Sequence, residues 1–354
     1  MGNRRRRWRW LRLLGVLAAF GLLGWTFRDL DVARVSGVIG RVGAGNLLWV
    51  LVPMGCALAV EAYGWAWAFR RFGHEVPFVG VWRARVTSEA LALTLPAGML
   101  FCESTKPFLL ARHCGLGAEA SLAGMAVRKY LLLASQAVYI TGFALLGAPF
   151  LARASSGILG GPGLTEALVA VGGVVFAAAI GSAAFLRDGR IAERVRGALA
   201  RLPLPALRER LEQSRGRFDQ TDGELRKFFE RPLLGASLPA LPFLLAWVFE
   251  AVETYLILRL LGVDLPFEAV AALEVALSFL RHVTFLLPAG LGVQDLGYVA
   301  FLRALGAHDP LTMGAAFVLL KRAKEAAWAL VGFSLLASDL RATGAPALAS
   351  APVS

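Results

Sequence analysis

Leu95-Pro96-Ala97-Gly98 returns as Leu287-Pro288-Ala289-Gly290, an offset of 192 residues from Leu95 to Leu287. Each copy sits in strongly apolar surroundings, where a proline and a nearby glycine interrupt helical hydrogen bonding. At the same offset Glu61 and Tyr63 meet Glu253 and Tyr255, Glu103 meets Asp295, and Lys129 meets Lys321. Between these anchors Val76-Pro77-Phe78 meets Leu265-Pro266-Phe267 with a three-residue slip. One match would carry nothing. Their shared order reads as an internal repeat.

Outward from the repeat, six long apolar runs stand out: Leu11–Phe27, Leu47–Phe69, Tyr130–Phe150, Leu164–Leu186, Ser237–Leu261 and Leu311–Ala337. Each is about long enough to cross a hydrocarbon core of roughly 30 Å. The 354 residues are 57% hydrophobic and 18% charged, with a mean hydropathy of +0.61. A soluble domain needs more polar surface, typically about 25% charged residues. The fold class expected is therefore all-α: a polytopic transmembrane helix bundle of about six full spans plus two re-entrant hairpins, at residues 84–127 and 268–309. Three true spans then separate each hairpin from its copy. An odd number of crossings turns the second copy upside down, so the repeat is expected to be inverted, as in alternating-access carriers.

The charge pattern orients the chain. Residues 1–12 hold six arginines and no acid, so they are expected in the cytoplasm. Residues 28–46 then fall outside, and 70–85, with Arg70, Arg71, Arg83 and Arg85 against Glu75, fall inside. The 262–310 segment, with five acids against Arg281 and Arg303, falls outside, and both termini are cytoplasmic. The net charge of +12 gathers at these membrane edges, which argues against a nucleic-acid partner. The resulting division is an N-terminal signal-anchor span and outer loop (1–46), a first membrane repeat (47–186), a basic linker (187–232), a second repeat (233–340) and a disordered tail (341–354). The linker holds twelve basic and eight acidic residues. It reads as a solvated connector, or alternatively as a surface for anionic headgroups.

Ionisable groups inside apolar runs are costly and point to function. They are Glu61, Glu89, Glu250, Glu253, Glu274, Arg281, Lys321, Arg322, Lys324 and Glu325. Lys321 and Glu325, four apart, can pair on one helix face. Arg322 then points elsewhere and is available to an outside anion such as a phosphate. Arg28-Asp29-Leu30-Asp31 offers a different chemistry, since two acids in an outer loop could hold a metal-bound sugar phosphate. The three cysteines and four histidines show no metal-ligand spacing, and no nucleotide-binding or hydrolase motif stands out. No catalytic residue, metal or cofactor is expected.

Leu95-Pro96-Ala97-Gly98 through Glu103 and Lys106, with Leu287-Pro288-Ala289-Gly290-Leu291-Gly292-Val293-Gln294-Asp295, resembles the lysylphosphatidylglycerol synthase transmembrane family, the flippase-like membrane domain of multiple peptide resistance factor. The resemblance runs from about residue 10 to 340. The family often has Glu where Asp295 stands and a second Gly near Phe101-Cys102. It implies ATP-independent translocation of a lipid with an anionic or zwitterionic headgroup, in a bacterial cytoplasmic membrane. It does not imply lysyl transfer, for which no aminoacyl-transferase domain follows residue 340. The residues expected to line the substrate path are Pro96, Gly98, Glu103, Lys106, Lys129, Pro288, Gly290, Asp295, Lys321 and Arg322, beside the intramembrane acids Glu61, Glu89 and Glu253. Membrane lipids are the expected substrate and lipid-biosynthesis proteins possible partners. The alternatives are a polyprenyl-phosphate-dependent glycosyltransferase using Asp29 and Asp31, or a scaffold for lipid synthesis.

Overall fold

A computed structural model describes residues 31–95, 98–201, 209, 211–230, 235, 237–283 and 293–344. Among these residues fourteen helices follow one another. They are α1 (Val32–Val42), α2 (Ala44–Trp49), α3 (Val52–Arg71), α4 (Phe78–Thr94), α5 (Gly98–Cys114), α6 (Ala118–Leu146) and α7 (Ala148–Leu159). Then come α8 (Leu164–Arg187), α9 (Ile191–Ala200), α10 (Arg215–Phe229), α11 (Ala240–Leu260), α12 (Phe267–Val283), α13 (Val293–Ala304) and α14 (Pro310–Gly344).

Among the described residues four stretches are long and apolar enough to cross a membrane: Ala44–Arg71, which joins α2 to α3, and helices α6, α8 and α11. The run expected at Tyr130–Phe150 is shifted. Helix α6 starts at Ala118 and stops at Gly147, whose backbone lies against Ala272 and the Glu268 carbonyl, leaving Phe150 in α7. The run at Leu311–Ala337 lies inside α14, whose 35 residues reach roughly 50 Å. Lys321, Arg322, Lys324 and Glu325 punctuate its middle, so it is not a uniformly apolar span. The expected signal anchor at Leu11–Phe27 lies outside the described residues, as does the tail from 345.

Helix stops explain the hairpins. Leu95 is extended (φ −95°, ψ 140°), because the residue before a proline is pushed out of the α region. Helix α5 then begins at Gly98 and packs back along α4. A Cβ on Gly80, near the start of α4, would meet the His113 carbonyl at 2.6 Å, so the two ends of the hairpin meet at one end of the bundle. The hairpin thus covers Phe78–Cys114, not 84–127, and residues 118–127 belong to α6. The described helices of its counterpart are Phe267–Val283 and Val293–Ala304, so they start and stop at other residues than 268–309.

The same local chemistry ends α3 and α11. Gly73 (φ 83°) and Gly262 (φ 80°) adopt the left-handed conformation that frees the last carbonyls for capping. His74 N donates to the Phe69 carbonyl and Gly73 N to that of Arg70; Val263 N donates to Leu258 and Gly262 N to Arg259. Pro77 and Pro266 then immediately precede α4 and α12.

Packing joins the halves. Helix α3 crosses α11 at Gly64, where Phe243 and Pro242 leave no room for a side chain. Helix α14 lies on α4, with Gly332 closed against Ala90 and the Val86 carbonyl, while α6 lies on α12. Trp328 of α14 covers Gly55 of α3 and donates its indole N–H to the Leu51 carbonyl. One apolar core gathers α6, α11, α12, α13 and α14; a second gathers α3, α4, α5 and the start of α6.

The linker is more than a solvated connector. Leu225, Phe228 and Phe229 of α10, spaced i, i+3, i+4, are buried in the second core against Phe72 and Tyr130. Buried Asp222 accepts from the backbone N–H of Ala192 and Glu193, capping the start of α9 from outside that helix.

Candidate functional site

Two clusters of charged side chains lie among the apolar helices, one in each half. In the first, Glu61 on α3 accepts from Arg85 Nε at 2.7 Å and from Arg128 on α6. Arg85 also holds Glu89 one turn further along α4. Glu103, in the second turn of α5, accepts from Lys106 Nζ at 2.6 Å and Lys129 Nζ at 2.9 Å, with Arg128 Nη1 at 3.7 Å. Glu61, Lys106 and Arg128 are buried, whereas the Lys129 side chain is 49% exposed. Arg128 lies over the Trp65 ring at 5.3 Å, and its Nε has no hydrogen-bond partner among the described residues. Four bases meet three acids here.

In the second half, Glu274 on α12 is 1% exposed and accepts from Tyr298 on α13 at 2.7 Å, Lys321 on α14 at 3.2 Å, and Thr254 on α11. Glu253 on α11 pairs with Lys324 at 2.7 Å. Arg322 bridges Asp295 and Glu325, both at 2.7 Å. Among the described side chains four acids meet three bases. Carrying such charges into an apolar core costs several kcal/mol per ion, and only close pairing with further hydrogen bonds offsets it. Charge-assisted bonds to carboxylates supply that here.

This pairing corrects two expectations. Lys321 does not pair with Glu325 but reaches Glu274 and Tyr298 across to α12 and α13. Arg322 is not available to an outside anion, because Asp295 and Glu325 hold it. Helix spacing brings Glu325 as near to Arg322, three residues away, as to Lys321, four away. The buried Glu274 and Tyr298 then claim Lys321.

Of the residues assigned to the path, Glu103, Lys106, Lys129, Glu61 and Glu89 come together in the first cluster. Asp295, Lys321, Arg322 and Glu253 fall in the second. Gly98 begins α5; Pro96, Pro288 and Gly290 lie outside the described residues, as does the Arg281 side chain. The sequence reading passed over Arg128, Thr254 and Tyr298 and took Arg85 only as a loop charge. Arg128 precedes Lys129 at the edge of an apolar run, where a basic residue reads as a membrane-edge anchor. Threonine and tyrosine in an apolar helix give no signal at all.

Asp31 has a structural task. Its side chain accepts from the N–H of Ala33 and Arg34, capping α1, and pairs with Arg34. Asp29 lies outside the described residues.

A third charged site lies at the meeting ends of the first hairpin. Asp339 near the end of α14 takes Arg83 of α4 at 2.6 Å and His113 of α5 at 2.9 Å, and its backbone carbonyl takes Arg112. It ties the first hairpin to the last helix.

A search of curated proteins returns no match. A family described as "Lysylphosphatidylglycerol synthase TM region" matches residues 12–337. That match contains both hairpins, both charge clusters and all four long apolar stretches. The protein is an integral membrane protein, and the chain belongs to the lysylphosphatidylglycerol synthase transmembrane-region family.

Proposed function

We propose that the protein moves a lipid with an anionic or zwitterionic headgroup between leaflets without ATP, along a path lined by the two hairpins. The observation that carries this is the placement of the two charge clusters. Each joins a broken hairpin to the long helix that follows it, α6 or α14. Broken helices within a membrane persist only where the freed backbone faces protein or water, and repeats of this kind place binding sites between their copies.

The same features support an inverted arrangement. Helices α6, α8 and α11, three of the four long apolar stretches, lie between the hairpins. With both hairpins entering and leaving on one side, that odd number turns the second over. Matched glycine stops at Gly73 and Gly262, and the reciprocal packing of α4 on α14 and α12 on α6, fit a two-fold relation. The arginine-rich edges put both termini in the cytoplasm. Within this arrangement the half-exposed Lys129 Nζ offers a donor to a headgroup phosphate, with Arg128 fixed behind it by Glu61. Lys321 and Arg322 hold the second half of the path in shape.

Reconstitution tests the proposal. Purified protein in vesicles carrying fluorescent phosphatidylglycerol, phosphatidylcholine or an aminoacylated lipid should speed the exchange of inner-leaflet lipid, read by membrane-impermeant bleaching. Exchange no faster than in protein-free vesicles, for every headgroup, overturns it.

A further inference from the structure

We propose that helix α9 is a peripheral binding surface for acidic phospholipid headgroups of the membrane in which the bundle sits, separate from the path between the hairpins. Helix α8 ends at Arg187 and α9 begins four residues later at Ile191. The position of α9 is fixed from below. Asp222 caps its first turn, Arg226 donates to the Gly189 carbonyl, and α10 is anchored in the core by Phe228 and Phe229. Ala192, Arg196 and Ala200 are half-buried, whereas Arg194, Val195, Ala198 and Leu199 are exposed.

One contact says which way that exposed face looks. The Arg194 guanidinium lies over the ring of Phe185 at 5.1 Å. Phe185 is itself exposed near the end of α8, on an apolar helix whose Val174, Phe176 and Ile180 are also exposed. Exposed apolar residues on a membrane-crossing helix face acyl chains. The surface that α8 presents to lipid therefore continues through Phe185 and Arg194 onto Val195 and Leu199. An amphipathic helix with an apolar strip and basic flanks lies in the headgroup layer.

Charge selects the lipid. Arg187, Arg190, Arg194 and Arg201 are exposed around the strip, against exposed Asp188 and Glu193. Asp188 pairs with Arg194, and Glu212 with Arg196. Within residues 187–201, Arg187, Arg190 and Arg201 thus exceed the remaining acid, Glu193, which suits an anionic leaflet.

The test uses the full-length protein in vesicles of phosphatidylcholine with and without phosphatidylglycerol. A fluorescent amino acid is placed at Val195, at Leu199 or, as control, at exposed Asp219 of α10. Chain-labelled quencher lipids should quench positions 195 and 199 and aqueous iodide should spare them, with the contrast growing when phosphatidylglycerol is present. Position 219 should show the reverse. The double variant Arg190→Gln, Arg201→Gln should erase the phosphatidylglycerol increment while leaving quenching in phosphatidylcholine. Iodide access at 195 and 199 equal to that at 219 in both lipids would overturn the proposal. So would an increment unchanged by the double variant, since the basic flank would then select nothing. Neither result depends on whether lipid is translocated.

Discussion

The two charge clusters occupy matching places along the chain and solve burial in opposite ways. In the first, a central acid, Glu61, is shared by two arginines, and a rim of Glu103 and Lys129 opens to the surface. In the second, Glu274 is enclosed by Thr254, Tyr298 and Lys321, and every acid is matched inside the bundle. The difference is sharpest at shared positions. Counted from Phe78 and Phe267, the first residues of α4 and α12, Arg85 stands where Glu274 stands. At the LPAG offset Lys106 stands where Tyr298 does, and Lys129 where Lys321 does. Among the described side chains, one scaffold carries a basic, partly open cluster and an acidic, closed one. The open one suits a passing anion; the closed one suits a hinge that must hold its shape.

The largest effect is expected from removing the shared acid. Glu61→Ala leaves buried Arg128 and half-buried Arg85 without their common partner, a loss of about 3–5 kcal/mol in the range for broken buried pairs. Glu253→Ala strips only Lys324 and should cost less. Thermal unfolding of both variants in detergent checks the ranking. Equal losses would mean that the first cluster is not built around Glu61.

Next comes the matched lysine pair. Lys321→Ala exposes the Glu274 network to an unbalanced buried charge and should lower stability by about 3 kcal/mol. Lys129→Ala, at a half-exposed pair, should change stability by less than about 1 kcal/mol. It should nevertheless slow lipid exchange about tenfold, the equivalent of ~1.4 kcal/mol in barrier. If Lys129→Ala unfolds the protein or leaves exchange untouched, the contrast between an open and a closed cluster fails.

A smaller effect tests how the halves touch. A side chain at Gly332 would meet Ala90 at 2.6 Å and the Val86 carbonyl at 2.7 Å. Gly332→Val should force α14 off α4 at a cost of about 1–3 kcal/mol, whereas Gly142→Val, with open space around it, should be nearly silent.

The smallest effect is acid dependence of the linker. Burial alone would raise the Glu224 carboxyl, but hydrogen bonds from Lys227 and His74 outweigh it and hold the group below the ordinary carboxylate range. A lowered carboxylate contributes stability above its unfolded-state value and loses it as pH falls through the lowered one. Protection of the Arg215–Phe229 amides, taken relative to their intrinsic exchange rate at each pH, should therefore fall in acid, and Glu224→Gln should flatten that dependence.

What the sequence disclosed, and what it withheld, follows from range. Helices α3, α8 and α11 were legible because apolar length is a local property, and the stop at Leu95 because Pro96 acts on its immediate neighbour. The acids were legible because charge within an apolar run is conspicuous. Their partners were not: Glu61 meets Arg128 across 67 residues and Glu253 meets Lys324 across 71. Local i, i+4 reasoning gave Lys321 to Glu325, since Glu274 and Tyr298 arrive from other helices. Leu225, Phe228 and Phe229 carried a helical spacing that was readable, but the surrounding charges hid it.

Reversible cross-linking tests most directly whether lipid passes through relative motion of the two halves. The Arg83 Nη2 lies 2.9 Å from the Ser338 hydroxyl, where the first hairpin meets the last helix. With Cys56, Cys102 and Cys114 replaced and exchange first shown to persist, Arg83→Cys and Ser338→Cys can be joined by a short cleavable linker. Lipid exchange should stop when the linker is closed and return when it is cleaved. Exchange that proceeds equally fast with the linker closed would contradict the account.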